Sequence, residues 1–256
     1  MALSRKAWDQ ILTAKDADQG LEDLQESGIL RAAFPALQGL VGFGGKTSGY
    51  AHKDLWMHTK LVVVQTLPVA VLRWAALFHD VGKPSSISTA TGKVAFHNHE
   101  IASARIFSQA AKQSRLFTGE EEAKIGFIIE NLGKVEAYYP EWSDSAVRRL
   151  ALELGTHLDD VFAVARADCT TSRPAQRRKV MRLTHELRSR ITRLQKQAEI
   201  PQALPKGLGD ALKAHLGLSQ GLELGKVMAG LKARVEAGEL PRNAPIEIYI
   251  ESLEKS

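Results

Sequence analysis

Histidine is unevenly distributed along this chain. Five of its eight, His52, His58, His79, His97 and His99, fall between positions 52 and 99, and His79 is followed directly by Asp80. Position matters more than number. His58 has Leu55 three residues before it and Leu61 and Val62 three and four after, so it lies on the apolar stripe of its helix. His79 follows Leu72, Ala75 and Ala76 on a similar face, and Asp168 follows Val161, Val164 and Ala165. One inward histidine is ordinarily a satisfied core residue. An inward aspartate is costly unless it is paired or bound to a metal. Three helices that each turn a His or an Asp inward point to one shared site.

The dipeptide His79-Asp80 sharpens this. Adjacent helical residues point about 100° apart, so both can address one ion only near a helix end. Val81-Gly82-Lys83-Pro84 supplies that end, with glycine as terminator and proline beyond it. Imidazoles and carboxylates without thiolate suit a divalent transition ion (Mn, Fe, Co, Ni or Zn), and Mg less naturally. Such an ion lowers the pKa of bound water and orients a phosphoryl oxygen. Lys83 could pair with a phosphate at the rim or serve as a helix C-terminal cation.

The elements that must position these residues read as helix almost throughout. Apolar residues recur at spacings of three and four over about 54–66, 69–80, 99–113, 119–132, 143–154, 158–167 and 174–198. Residues 1–40 predict two or three short helices broken at Gly20, Gly28 and Phe34-Pro35, followed by a glycine-rich loop over 39–49. Pro201, Pro205, Gly207 and Gly209 mark a seam, beyond which 208–237 reads as a small helical piece and Ile246 to Ile250 as a short extended stretch. Two tempting motifs fail for lack of a frame. Gly39 to Thr47 looks like a phosphate loop, but its first glycine is one residue too far away and no buried strand precedes it. Asp16-Ala-Asp18 has paired-carboxylate spacing without a strand to hold both side chains on one face.

Composition is that of an ordinary globular protein: 256 residues, 44% hydrophobic and 25% charged. The single cysteine, Cys169, argues against a disulfide-stapled secreted scaffold. The N-terminus lacks a secretory h-region, and the longest apolar stretch, Leu67 to Phe78, is too short to span a bilayer and contains Arg73. The expectation is a cytoplasmic protein without a membrane partner. Between Arg173 and Gln197 nine bases face one acid, Glu186, a net +8 in a chain whose formal total is +5. Arg177, Arg178, Arg182 and Arg188 are therefore candidates for a nucleic-acid face. The bland reading is a solvated helix with Val180, Leu183, Leu187, Ile191 and Leu194 inward, and the segment has no aromatic residue for base stacking.

His58, then His79-Asp80, then Asp168 resembles the ordered signature of the HD-domain metal-dependent phosphohydrolases, with "LFHDVGKP" at its centre. The blocks "AFPAL", "HKDLWMHT", "RWAALFHDVGKP", "VAFHNHEIASA", "EWSDSAVRRL" and "ARADCTTSR" are similar to the HD-containing half of bacterial tRNA nucleotidyltransferases, the CCA-adding enzymes and poly(A) polymerase-like relatives. "LGLSQGLELGKVMAGLKARVEAGEL" resembles their C-terminal segment. The resemblance runs from about residue 20 onward. It implies an all-α fold: an N-terminal helical segment and glycine-rich loop over 1–50, an HD helical bundle with the basic helix over 51–200, and a C-terminal helical segment over 201–256. It also implies an ion on His58, His79, Asp80 and Asp168.

Two departures shape what the resemblance carries. No nucleotidyltransferase motif precedes these blocks, so the expectation is a free-standing HD half without nucleotide addition. Relatives with two ions use two further histidines. His99 matches one, with His97 as a nearby alternative or substrate contact, but the other position reads Leu132, which cannot ligate. One tightly held ion is expected, with a second, weaker one through Asp80 and His99. The leading function is a phosphodiesterase or phosphomonoesterase acting on nucleotides or RNA ends such as 2′,3′-cyclic phosphates. In it Asp80 positions or deprotonates water, while Lys83 and His99 contact phosphate or protonate the leaving oxygen. The alternative is a catalytically weakened module that grips tRNA or other RNA through the basic helix. A di-iron oxygenase is disfavoured by Leu132.

Overall fold

The computed structural model describes residues 3–44, 54–88, 95–199, 202–217 and 221–254. The fold is all-α. Among these residues the only strands are a short antiparallel pair, β1 (Ile87–Ser88) and β2 (Ala95–Phe96), with Ile87 opposite Phe96. The chain forms two compact units, Met1–Ile191 and Thr192–Ser256. No described helix is long and apolar enough to cross a membrane.

The first unit is organised around α6 (Ala70–Phe78), in which every residue from Leu72 to Phe78 is buried. A helix apolar on all sides needs neighbours on all sides. They are α1 (Arg5–Thr13), α5 (Leu55–Gln65), α8 (Gly119–Glu136) and α10 (Leu158–Ala167). Edge-on aromatic contacts bind this core: Trp8 on Phe34 at 5.1 Å, Phe34 on Trp74 at 5.5 Å, Trp74 on Phe117 at 4.9 Å and Phe78 on Phe107 at 5.2 Å. Arg73 is also buried, 4% exposed, yet among the described residues it pairs with no carboxylate. Its guanidinium donates instead to Leu12 O (2.5 Å) and Ala14 O (2.7 Å) past the end of α1, and to Val64 O (3.3 Å) and Thr66 O (3.1 Å) at the end of α5. Helix C-termini leave carbonyls unpaired and partly negative, and one planar fork satisfies two of them.

Local chemistry sets the boundaries of the site-bearing helices. Asp54 caps α5 through Met57 N at 3.0 Å, Thr118 and Glu121 form a reciprocal capping box on α8, and Ser143 caps α9 (Asp144–Leu154). The helix α7 (His99–Ser114) follows β2, and α11 runs Pro174–Glu199. Two expectations need correction. Gly20 does not break a helix. It lies inside α2 (Ala17–Glu26), where a Cβ would come within 2.8 Å of Ile11, so it lets α1 and α2 approach closely. The other two breaks fall as expected, Gly28 at φ +75° between α2 and α3 (Ile29–Ala33) and Phe34-Pro35 between α3 and α4 (Pro35–Gln38). The second part of the glycine-rich loop, 45–49 with Lys46 and Thr47, lies outside the described residues, as does His52.

In the second unit, α12 (Leu208–Leu216) and α13 (Leu222–Glu236) match the helical expectation, but Ile246 to Ile250 is not extended. It opens α14 (Ile246–Glu254). The alternation of Ile246, Ile248 and Ile250 suggested a strand, yet Ile248 is an exposed residue, whereas Tyr249 is buried on Leu208, Leu212, Leu231 and Val235. Ile246, Tyr249, Ile250 and Leu253 form the packed stripe, and that spacing is helical.

Candidate metal centre

Each histidine of the cluster is oriented through its Nδ1. His79, directly after α6, donates from Nδ1 to Ala76 O at 2.7 Å, and His99 donates from Nδ1 to Phe96 O at 3.1 Å. A carbonyl only accepts, so both rings carry a proton on Nδ1 and turn Nε2 inward as the nitrogen left to bind a second proton or an ion. His58, on α5, places Nδ1 2.8 Å from Thr170 Oγ1 and its Nε2 inward. Asp80 is carried by the turn that ends α6, which continues as Lys83 N to Asp80 O at 3.0 Å. Gly82 is required there: a Cβ would meet His99 O at 2.5 Å and Ser103 N at 2.6 Å, so the turn lies directly against the start of α7. Gly82 N donates to the buried Ser103 Oγ at 2.8 Å, fixing that contact. Asp168 closes α10, its N–H bonded to Val164 O at 2.9 Å.

The side chains converge. His58, His79 and Asp168 each offer one ligand atom within 4.8 Å of the others. His58 Nε2 lies 3.2 Å from His79 Nε2 and 2.8 Å from Asp168 Oδ1, and His79 Nε2 lies 3.4 Å from Asp168 Oδ1. Asp80 Oδ2 is 3.3 Å from both imidazole nitrogens. Atoms bound about 2.1 Å from one ion stand roughly 3.0–3.4 Å apart for right-angled to tetrahedral arrangements. All of these separations but the 2.8 Å between His58 and Asp168 fall in that range, and the group is suited to a single divalent ion. Two buried carboxylate oxygens, Asp80 Oδ1 and Asp168 Oδ1, make no aligned hydrogen bond despite neighbouring nitrogens. Asp168 Oδ1 lies among the imidazole nitrogens, where a cation would satisfy it, whereas Asp80 turns Oδ2 to that point and Oδ1 toward His99.

Without a metal, protons hold the cluster together. Burial works against charge on Asp80 and Asp168, but the positive charge of His79 and the contacts of His58 hold both carboxyls well below the usual range. Burial likewise opposes the protonation of His58 and His79, and the two aspartates outweigh it, raising both. Lys83 Nζ sits 2.6 Å from Asp80 Oδ2, so in this structure it is an ion-pair partner of the centre rather than a free rim cation. His99 Nε2 approaches the other oxygen, Oδ1, at 3.4 Å. His97 is exposed in the turn before α7, and of the two histidines it is His99 that reaches Asp80. Leu132 is buried, 3% exposed, one turn before the end of α8.

Sequence reasoning missed Glu136 and Thr170. With Asp168, Cys169, Tyr138, Val180 and Leu183, Glu136 lines a cavity of about 220 Å³ beside the centre. Glu136 is exposed as a residue, yet its carboxyl group stands against Asp168. Crowding strips it of water and the negative charge of Asp168 repels its own, so it titrates well above the ordinary range. Its signal was available: it lies four residues after Leu132 on the same helix, but the apolar pattern that marks α8 fades at 132. Of the basic candidates, Arg177, Arg178 and Arg182 are exposed, whereas Arg188 is bound to Asp159 through Nε at 3.0 Å and Nη2 at 2.8 Å. Leu187, Ile191 and Leu194 are buried, as the solvated-helix reading expects, while Val180 and Leu183 are half-buried at the cavity.

An all-helical unit that brings two histidines and two aspartates onto one point, from α5, the end of α6 and the end of α10, is the architecture of a metal-binding helical domain. Residues 52–172 match the HD domain family, so that stretch of the chain carries an HD domain. It is 26% identical over 250 residues to the A-adding tRNA nucleotidyltransferase of Deinococcus radiodurans, covering 91% of this chain and 56% of that protein. It is 31% identical over 235 residues to the CC-adding tRNA nucleotidyltransferase of Thermus thermophilus, covering 89% and 50% respectively. The chain thus spans about half the length of the curated relatives it matches.

The charge arrangement fixes a pH dependence. His58 and His79 hold protons more tightly when folded, so the stability they add is complete below about pH 6.5 and is lost as pH rises through their raised values. Glu136, also raised, is penalised on ionising and acts in the same direction, whereas Asp80 and Asp168 lose their contribution only in acid. The metal-free protein should therefore melt at a lower temperature at about pH 8.5 than at about pH 6. Added Mn or Zn should raise the melting temperature more at the higher pH, because the ion takes the place of imidazole protons. A metal-induced rise independent of pH would contradict ligation by His58 and His79.

Proposed function

We propose that this chain is a metal-dependent phosphohydrolase that acts on nucleotides or RNA ends, such as 2′,3′-cyclic phosphates, rather than one that transfers nucleotides. The observation that carries this reading is the convergence of His58, His79, Asp80 and Asp168 with two unsatisfied carboxylate oxygens among them. A bound transition ion (Mn, Co, Ni, Fe or Zn, with Mg a poorer match) would supply positive charge to the phosphoryl oxygens and lower the pKa of a neighbouring water. Asp80 Oδ1 has no aligned donor and stands where it can orient the attacking water and accept its proton. As the water oxygen bonds to phosphorus, the bond to the ribose oxygen breaks; the water's proton passes from Asp80 Oδ1 to His99 Nε2, 3.4 Å away, and from there to that leaving oxygen. Lys83 supplies fixed positive charge beside Asp80. With Leu132 in place of a further ligand, Lys83 supports a centre built for one tightly held ion. A second ion would have only Asp80 and His99, with His97 nearby.

Both relatives bear names that specify tRNA, and the exposed Arg177, Arg178 and Arg182 suit a polyanionic substrate, tRNA among them. The same residues, taken with Leu132, favour a second reading, a catalytically weakened RNA-binding module. Stripping the protein of metal and restoring Mn, Co, Ni, Fe, Zn or Mg separates the two. The assay panel is a phosphomonoester, a phosphodiester, 2′,3′-cyclic nucleotides and nucleoside phosphates. Turnover that returns with a transition ion and is lost to chelator is expected. Turnover indifferent to chelation, or none on any substrate with an ion bound, would overturn the hydrolytic reading and leave the RNA-binding one.

A further inference from the structure

The long basic helix does not present its charge uniformly. Toward its middle the arginines are committed within the fold: Arg188 to Asp159, and Arg190 to Asp144 at 2.7 Å and to Trp142 O at 2.6 Å. Toward its start the situation reverses. A groove of about 400 Å³ opens where the end of α5, α10 and α11 come together. Arg166 enters it from α10 and Arg177 from α11, and both are exposed. No carboxylate lines this groove, and neither arginine forms an ion pair among the described residues. Gln65 accepts a long hydrogen bond from Arg177 Nη2 at 3.5 Å, which sets that guanidinium at the groove's edge. Between the charges the lining is apolar, with Leu67, Ala167 and Met181, and Leu67 is 60% exposed.

Two like charges brought together by different helices without a counter-ion are unfavourable alone and favourable around an anion. An apolar lining between two guanidinium forks matches the alternation of phosphate and sugar or base along a strand, and arginine planes also stack on unpaired bases. We propose that the Arg166–Arg177 groove is a phosphodiester-binding subsite for single-stranded RNA, separate from the hydrolytic centre and joined to it through α10, which ends on Asp168. The inference rests on the reading above only in taking RNA as the ligand, and it adds Arg166 and Gln65 to the surface.

The test is binding of a short fluorescent single-stranded RNA to the full, metal-stripped chain, read by anisotropy across a salt series. Arg166→Gln with Arg177→Gln should weaken binding about tenfold or more at low salt and reduce the slope of log K against log salt by about 1.4, two single-strand phosphate contacts. Arg149→Gln, an exposed arginine of α9, serves as the comparison for loss of a single surface charge and should leave the slope unchanged. An unchanged slope in the double variant, or an equal per-charge loss in Arg149→Gln, would overturn the subsite. Because binding is read without turnover, a failure of the hydrolytic reading leaves this result standing, and a failure here leaves hydrolysis untouched.

Discussion

Asp80→Ala is expected to lower turnover about a thousandfold or more and to strip the centre of its ion, while the far-UV helical signal stays native. Asp80 is 1% exposed by its side chain and meets four groups: His58, His79 and Lys83 on Oδ2, and His99 on Oδ1. Removing it deletes a ligand and the oxygen proposed to take the proton from water, two functions lost in one step. The helices around it keep their packing, since the buried mass of α6 lies from Leu72 to Phe78, ahead of the substituted turn. Asp80→Asn preserves volume and an acceptor for Lys83, so it separates loss of charge from loss of shape. Both variants should bind less metal by elemental analysis and show a smaller metal-induced rise in melting temperature. Turnover within about tenfold of the parent in both would refute the assigned role of Asp80.

Much of this centre could be read from residue types because its ligands sit at positions the helical period and one turn determine. His58 lies on the stripe of α5, Asp168 at the end of α10, and α6 ends at Phe78 so that His79 and Asp80, just beyond it, can share a target. The features that escaped depend on distance through space. Glu136 belongs to the last turn of α8, after its apolar pattern has faded, and only the approach of Asp168 gives it significance. Lys83 is an ordinary C-terminal cation until Asp80 is seen 2.6 Å away. The division of the basic helix is equally invisible along the chain, since Arg188 and Arg190 are neutralised by acids from α10 and α9 that precede them by 29 and 46 residues. The error at Ile246 has a different origin: alternation and helical spacing coincide over five residues, and the buried Tyr249 decides between them.

The charges also explain why so polar a centre can occupy a buried position. Protonated His58 and His79 and the ammonium of Lys83 outweigh the charges of Asp80 and Asp168 and so keep both carboxyls ionised. A divalent ion would take over the role of the two imidazole protons, exchanging one set of positive charges for another. Pre-orientation by Ala76 O and Phe96 O keeps the Nε2 atoms of His79 and His99 inward in either state.

The centre's rigidity depends on a residue that never touches it. Arg73→Met should destabilise the first unit by about 3–5 kcal/mol and lower its melting temperature by about 10 °C. Arg73 is six residues before His79 on the same central helix, and its four bonds to carbonyls fasten α6 to the ends of α1 and α5, the helix that bears His58. Methionine fills similar space but leaves those carbonyls buried without donors, which costs more than the bonds themselves contributed. Arg73→Lys should recover only part of the loss, because a point charge on a flexible stem cannot reach both helix ends as a planar fork does. Thermal melts of the three proteins, with and without metal, provide the measurement. If Arg73→Met melts within about 2 °C of the parent, the guanidinium is not what secures these helix ends, and the placement of His58 must be credited to apolar packing alone.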